Sequence, residues 1–322
     1  MKSATTAWAQ MSAAGRWPLV RRILISAFTL GVLALIVWKA RGIDWSAVGQ
    51  ALRDISPATL ATAGGFALLS YALYGSFEMF GWHYLGHPLP RWRMAGVAMS
   101  SYAVNLNLGT LVGGVGFRYR LYARLGLKVP QVAKLVGLSM LINWLAYPLL
   151  LGTCLVFQVV TLPADWSLSP ATLRWVGLLL WLVPLAYLAA CFWSPRRRWT
   201  VRGQKVALPS GRMACLQLAL SSANWLAMAA AIYTLMPEGV SYLAVVSCLM
   251  VSAVAGVLAH IPGGLGVLEG VFMALLGAQV PQAELIGALL AYRAVYYLGP
   301  LLLALLAYLG FEATTRRKAE AA

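Results

Sequence analysis

Acidic side chains are scarce in this chain: 9 Asp and Glu stand among 322 residues, against 25 Lys and Arg. Charge of either sign makes up only 11% of the sequence, where a soluble globular chain carries roughly a quarter. No polar stretch between the apolar runs is long enough to form a soluble domain, so any binding or chemistry has to take place in or at a bilayer. The catalytic signatures are missing too. No GxxxxGK[ST] phosphate loop, GxSxG elbow or HExxH pair occurs, which excludes ATP-driven pumping by this chain alone and the familiar hydrolase sites. Cysteine is sparse: Cys154, Cys191, Cys215 and Cys248 lie inside apolar stretches without a CxxC pair. They read as small core hydrophobes, not as a disulfide framework or metal site. With three histidines and no second ligand at metal spacing, neither a metal nor a cofactor is expected.

What is present is apolar. Hydrophobic residues make up 61% of the chain and the mean hydropathy is +0.75. Runs of membrane-spanning length recur from end to end, which defines an all-α integral membrane protein. The net charge of +16 would suggest nucleic acid in a soluble protein. Here the basic residues sit in loops beside the spans, where they set orientation and meet anionic headgroups, so no nucleic-acid partner is expected. The first apolar run, 23–38, follows Arg16, Arg21 and Arg22 and reads as a retained anchor, since no small-x-small cleavage site follows it.

Six segments are long enough to span: roughly 21–38, 57–82, 132–160, 171–193, 212–236 and 283–311. Stretches 93–127 and 241–279 differ. Each is an apolar arm, a glycine cluster and a shorter second arm, with "GGVG" at 113–116 and "GGLG" at 263–266. Gly113, Gly114 and Gly116 in one, and Pro262, Gly263, Gly264 and Gly266 in the other, are helix breakers that would turn a re-entrant hairpin inside the membrane. Charge agrees with this. The loop 194–212 carries Arg196, Arg197, Arg198, Arg202, Lys205 and Arg212, so it is cytoplasmic, whereas 161–170 and 237–241 contain no Lys or Arg. The basic stretch 118–128 stays cytoplasmic only if 93–127 enters and leaves on one side, and both termini then lie in the cytoplasm. Loop 39–53, with Lys39, Arg41 and Arg53, is the exception; "GIDWSAVGQALRDI" there reads as an interfacial helix.

The two glycine clusters are offset by about 150 residues, and the same shift superposes three spans of each half. The expectation is a first membrane repeat over 1–160 and a second, inverted one over 161–322, each with three spans and a hairpin. Inverted repeats with broken helices are a construction plan of secondary transporters.

Charge inside apolar segments marks the candidate site. Arg293 lies near the middle of the last span, where an unpaired arginine costs about 3 kcal/mol or more. Glu269, three residues beyond the second cluster, is its natural partner, because buried charges survive mainly in pairs. Arg118 and Arg120 follow the first cluster, with Arg124 on the same helical face as Arg120. Arg118 and Arg120 are placed to grip a phosphate, although arginines here could equally snorkel to headgroups. Asn105, Asn107, Asn143 and Asn224 complete the polar set; asparagine in a membrane helix mostly joins helices. His260 stands alone beside Pro262, and Glu78 is a weaker candidate near the end of its span.

With these residues in hand, "NLNLGTLVGGVGFRYRLYARLGL", "SSANWL", "AHIPGGLGVLEGVF" and "LLAYRAVYYLGPLLLALL" resemble the membrane region of lysylphosphatidylglycerol synthase/flippase proteins, over essentially the whole chain. The likeness is to a stand-alone branch found in bacterial inner membranes. It implies movement of a phospholipid between leaflets, without the synthase activity that belongs to a separate soluble domain. The expectation is therefore a non-enzymatic translocator of membrane phospholipids with a phosphate-bearing, anionic headgroup, using Arg118, Arg120, Glu269, Arg293, Asn105, Asn107 and His260. The rival is a membrane scaffold or regulatory partner of a phospholipid-synthesis enzyme.

Overall fold

A computed structural model describes residues 44–86, 89–159, 169–201, 204–259 and 264–320. The expected span 21–38 and the residues His260, Pro262 and Gly263 lie outside them. The chain divides into two compact units, Met1–Trp45 and Ser46–Ala322, and every helix from Pro57 onward lies in the second.

Helices dominate. After the short helix α1 (Trp45–Asp54), α2 (Pro57–Tyr84) begins where the Ser56 hydroxyl accepts from the Thr59 amide at 3.1 Å and Pro57 opens the first turn. The same Ser-Pro-Ala-Thr start recurs at α7 (Pro170–Trp193), where Ser169 caps Thr172 at 3.1 Å. The cap satisfies one amide that the first turn leaves without a partner, and proline there forfeits no hydrogen bond. Between them run α3 (Arg91–Leu108), a π-helical segment π1 (Thr110–Phe117), α4 (Arg118–Arg124), α5 (Val129–Leu145) and α6 (Tyr147–Val156). Beyond α7 come a two-stranded antiparallel hairpin, β1 (Arg198–Val201) and β2 (Gln204–Ala207), then α8 (Gly211–Leu235), α9 (Tyr242–Ala259), α10 (Val267–Leu276), α11 (Gln282–Tyr292), π2 (Arg293–Leu298) and α12 (Gly299–Glu320). The hairpin falls in the basic loop, where the sequence pattern shows no regular element.

Among the described residues, six helical stretches are long and apolar enough to cross a membrane. Five match expectation: Pro57–His83, Val129–Val156, Pro170–Trp193, Gly211–Leu235 and Gln282–Leu309. The sixth, Tyr242–Ala259, coincides with the first arm of the expected second hairpin. Two of these spans are interrupted. Val129–Val156 breaks at Ala146, just before Pro148, and Gln282–Leu309 loosens into π2 just before Pro300. Proline removes an i→i−4 hydrogen bond, and π turns commonly absorb such a loss.

The core forms where α2 and α8 pack along each other. Small residues allow the approach: Ala63 and Ala67 on α2, and Ala227, Ala229 and Ala231 on α8, are all buried. The aromatic body of the core comes from Tyr71, Tyr74, Phe77, Tyr102, Tyr292 and Tyr296. By contrast α7 buries only Gly177, Pro184 and Cys191 and turns Leu178, Leu179, Leu182 and Leu185 outward. The outward leucines are the surface expected to face acyl chains. This helix sits against α6 at a glycine pair: a Cβ on Gly152 would lie 2.7 Å from the Gly177 carbonyl oxygen, and the converse distance is also 2.7 Å.

Candidate functional site

Two arginine–glutamate pairs organise the interior. The first joins residues that the sequence pattern does not connect. Arg118, at the start of α4, is 1% exposed and reaches Glu78 on α2, which is fully buried. Nη1 lies 3.2 Å from Oε1. Tyr122, one turn on from Arg118, donates its hydroxyl to Glu78 Oε2 at 3.0 Å, and Arg118 Nη2 donates to the Tyr74 hydroxyl at 3.2 Å. The spacing explains the set: Tyr74 and Glu78 share a face of α2, and Arg118 and Tyr122 share a face of α4. A buried ion pair persists only when further hydrogen bonds satisfy its members, and the two tyrosines supply them.

The second pair joins Arg293, at the start of π2, to Glu269 in the first turn of α10. The contact is bidentate: Nε meets Oε1, and Nη2 donates to Oε2 at 3.0 Å. Nη2 also donates to the Gly264 carbonyl at 2.9 Å, and the guanidinium lies 5.2 Å from the centre of the Tyr297 ring. The side chains are 12% and 17% exposed, so this pair is reachable where the first is sealed.

The remaining sequence candidates separate. Arg120 is exposed on the far side of α4, 6.0 Å from the Tyr308 ring, beside Arg124 at 5.7 Å. The helical turn between Arg118 and Arg120 directs them to different faces, so they do not form one phosphate clamp. Asn107 is a tie: its Nδ2 donates to the carbonyls of Ala103 and Tyr297 at 2.8 and 3.1 Å, fastening α3 to π2. Asn143 and Asn224 also join helices. Asn224 Nδ2 approaches Asn143 Oδ1 at 3.5 Å, and Ser70 donates to Asn224 Oδ1 at 2.8 Å. Ser70 in turn bonds the Tyr296 hydroxyl at 2.6 Å, and Tyr102 meets the same hydroxyl at 3.3 Å. This buried chain crosses α5, α8, α2, π2 and α3. Its tyrosines, Tyr102 and Tyr296, are absent from the sequence candidates, though "SSYAVN" and "AYRAVYYLG" place phenols in apolar segments where each needs a partner.

The two glycine clusters differ in backbone conformation. Gly113, Gly114 and Gly116 lie within π1, and the positive φ values of the stretch fall outside that cluster, at Gly109, φ +83 where α3 ends, and at Gly126, φ +86 beyond α4. In the second segment Gly264 and Gly266 do take left-handed conformations, at φ +56 and +76, and Gly266 starts α10. A side chain is strained at such φ, which is why glycine stands there.

Between these elements lies a cavity of about 680 Å³. Asn105, Gly114 and Arg118 line it from the first glycine segment, and Gly256, Gly264 and Leu268 from the second. Asn143, Trp144, Trp225 and Tyr297 line it from the spans. Its volume falls in the range of small-molecule sites, mostly apolar with a few polar groups. Among the described residues no cluster of His, Cys, Asp and Glu could hold a metal ion.

A multi-pass helical membrane protein with a cavity between its helices and charge pairs on the glycine-bearing segments is the class that fold and site define. The chain belongs to the family described as the lysylphosphatidylglycerol synthase TM region, whose model matches residues 22–304. It is 42% identical over 94% of its length to the inner membrane protein YbhN of Escherichia coli, covering 95% of that protein. It is 27% identical over 85% of its length to the uncharacterized protein slr0712 of Synechocystis, covering 86% of it. A more distant relative is a phosphatidylglycerol lysyltransferase of Staphylococcus aureus, 28% identical over 64% of this chain but only 24% of the enzyme.

Proposed function

We propose that this protein is a phospholipid translocator of the bacterial inner membrane, passing a phosphate-bearing headgroup through this cavity while the acyl tails stay in lipid. The observation that carries the reading is the shared lining: both glycine-bearing segments meet at one cavity, one contributing Gly114 and the other Gly264. The few polar groups on its lining lower the cost of taking a charged headgroup across hydrocarbon. The two segments act as re-entrant hairpins, 93–127 and 241–279, within inverted halves 1–160 and 161–322, and both termini face the cytoplasm. Packing of α2 against α8, which the offset of about 150 residues would make equivalent, supports that arrangement. So do the interruptions at Ala146 and π2, each within the third span of its half.

Arg293 and Glu269, set behind the lining residues Gly264 and Tyr297 that Arg293 touches, are the mobile lock of the passage. Glu269 holds the guanidinium when the site is empty, and a phosphate replaces it as Arg293's partner in transit. The test is leaflet exchange of labelled phospholipids in proteoliposomes, wild type beside Glu269→Gln. Exchange that the variant loses, from protein that still inserts and unfolds cooperatively, is the expected result. The relative in which such a region forms part of a longer lysyltransferase favours a second reading, a scaffold for a lipid-synthesis enzyme. That reading predicts no exchange by the pure protein and a stable complex with the enzyme.

A further inference from the structure

The cavity's polar groups bear on which headgroup it takes, an inference that rests on the translocator reading. Of the described side chains lining it, Arg118 is the one that carries a formal charge. That charge is already balanced, since Glu78 lies 3.2 Å away and is fully buried. This lining therefore offers no net positive charge to a headgroup. Placing a net anion against this mostly apolar lining would leave its charge uncompensated, which is unfavourable.

Two buried atoms of the lining residues have no hydrogen-bond partner: Nε of Arg118 and Oδ1 of Asn105. Buried polar atoms are nearly always satisfied, so each such exception calls for an explanation. One is a donor and the other an acceptor, and they stand at the two ends of the same glycine segment, where α3 ends and α4 begins. A ligand that satisfies both must itself present an acceptor and a donor. The aromatic walls narrow the choice. Tyr74, Tyr102, Trp144, Trp225 and Tyr297 all line the cavity, and aromatic faces attract ammonium groups.

We infer that the cavity selects a zwitterionic headgroup, with its phosphate accepting from Arg118 and its ammonium donating to Asn105 among the aromatic rings. This departs from the anionic headgroup expected from sequence, because the sequence shows Arg118 as a cation and does not show that Glu78 neutralises it.

The experiment has two arms. In proteoliposomes, acyl-labelled phosphatidylethanolamine and phosphatidylglycerol are compared for leaflet exchange. In detergent, quenching of tryptophan emission, to which Trp144 and Trp225 in the wall contribute, reads binding of the short-chain forms of the same two lipids. The zwitterion is expected to exchange and bind at least about tenfold better. Asn105→Leu should reduce that ratio by weakening the zwitterion alone, while Arg118 remains paired with Glu78. Equal or better exchange and binding of the anionic lipid overturns the zwitterion assignment and leaves translocation standing. Exchange of neither lipid by folded protein overturns the translocator reading; if the zwitterion still binds selectively in detergent, the cavity assignment survives as a binding site. Failure of both arms removes both.

Discussion

Replacing Glu78 by leucine should destabilise this protein more than replacing Arg118 by leucine, and replacing both together should cost less than either. The geometry supplies the magnitude. The charges are 3.2 Å apart with side chains 0% and 2% exposed, and a pair at that distance attracts by about 5 kcal/mol at an effective dielectric of about 20. Removing one member of a buried pair typically costs about 3–5 kcal/mol, whereas exchanging both for well-packed apolar residues is often neutral. The asymmetry comes from chemistry. Glu78→Leu strands a guanidinium that cannot lose its proton, with the Tyr74 hydroxyl as its remaining side-chain partner of the set. Arg118→Leu strands a carboxyl that can take up a proton, and Tyr122 still donates to it.

The assay is a double-mutant cycle in detergent micelles or bicelles, with denaturant or thermal unfolding followed by tryptophan emission. The expected coupling between the two sites is about 3 kcal/mol or more. Additive losses, with coupling below about 0.5 kcal/mol, would refute the claim that the pair is a single energetic unit. Should Glu78→Leu fail to accumulate, Glu78→Gln keeps the side chain's volume and an acceptor for Tyr122, and the same ordering applies to it.

Packing and the buried polar chain set two further outcomes. Gly152→Leu should destabilise the protein by about 1–3 kcal/mol through overpacking, because its Cβ would lie 2.7 Å from both the Gly177 carbonyl and the Trp181 ring; Gly65→Ala, with open space around it, is the control, and equal melting curves for the two would be evidence against a close α6–α7 contact. Asn224→Leu breaks the link between Asn143 and Ser70 and should cost about 1–2 kcal/mol, read from unfolding in the same medium; a loss no larger than that of an exposed position such as Leu216 would show that the chain contributes nothing to helix association.

The spans are legible in sequence because membrane thickness sets their length and the Ser-Pro starts mark where two of them begin. The partnership of Glu269 with Arg293 is equally accessible, since few charges lie in apolar segments and these two sit 24 residues apart. Glu78 is inconspicuous for the opposite reason. Its partner, Arg118, lies 40 positions along the chain, and nothing local to Glu78 distinguishes a sealed carboxylate on α2 from one that reaches the membrane surface. Arg118 and Arg120 look like one clamp in sequence because both follow the glycines, although residues two apart on a helix point in different directions. Gly109 is masked by the denser cluster at 113–116, yet it takes the positive φ at which α3 ends.

The two charge pairs differ in burial, and that difference bears on how such a protein would move. Each ties a glycine-bearing segment to a span: Arg118 beside π1 to Glu78 on α2, and Glu269 on α10 to Arg293 at π2. In the first the arginine is on the glycine-bearing side, and in the second the glutamate is. Were the halves to exchange roles during translocation, the pair now 12% and 17% exposed would become the sealed one, and the other would open. Opening a sealed pair without a replacement partner is costly, so the headgroup itself has to lower that barrier by supplying a phosphate to arginine. A lipid without phosphate should then bind at the cavity without increasing the accessibility of Glu78. Hydrogen exchange over residues 70–84, followed with phospholipid and with diacylglycerol, separates the two cases: faster exchange with the phospholipid alone fits headgroup-driven opening, whereas equal rates mean that the pair at Glu78 is a fixed strut.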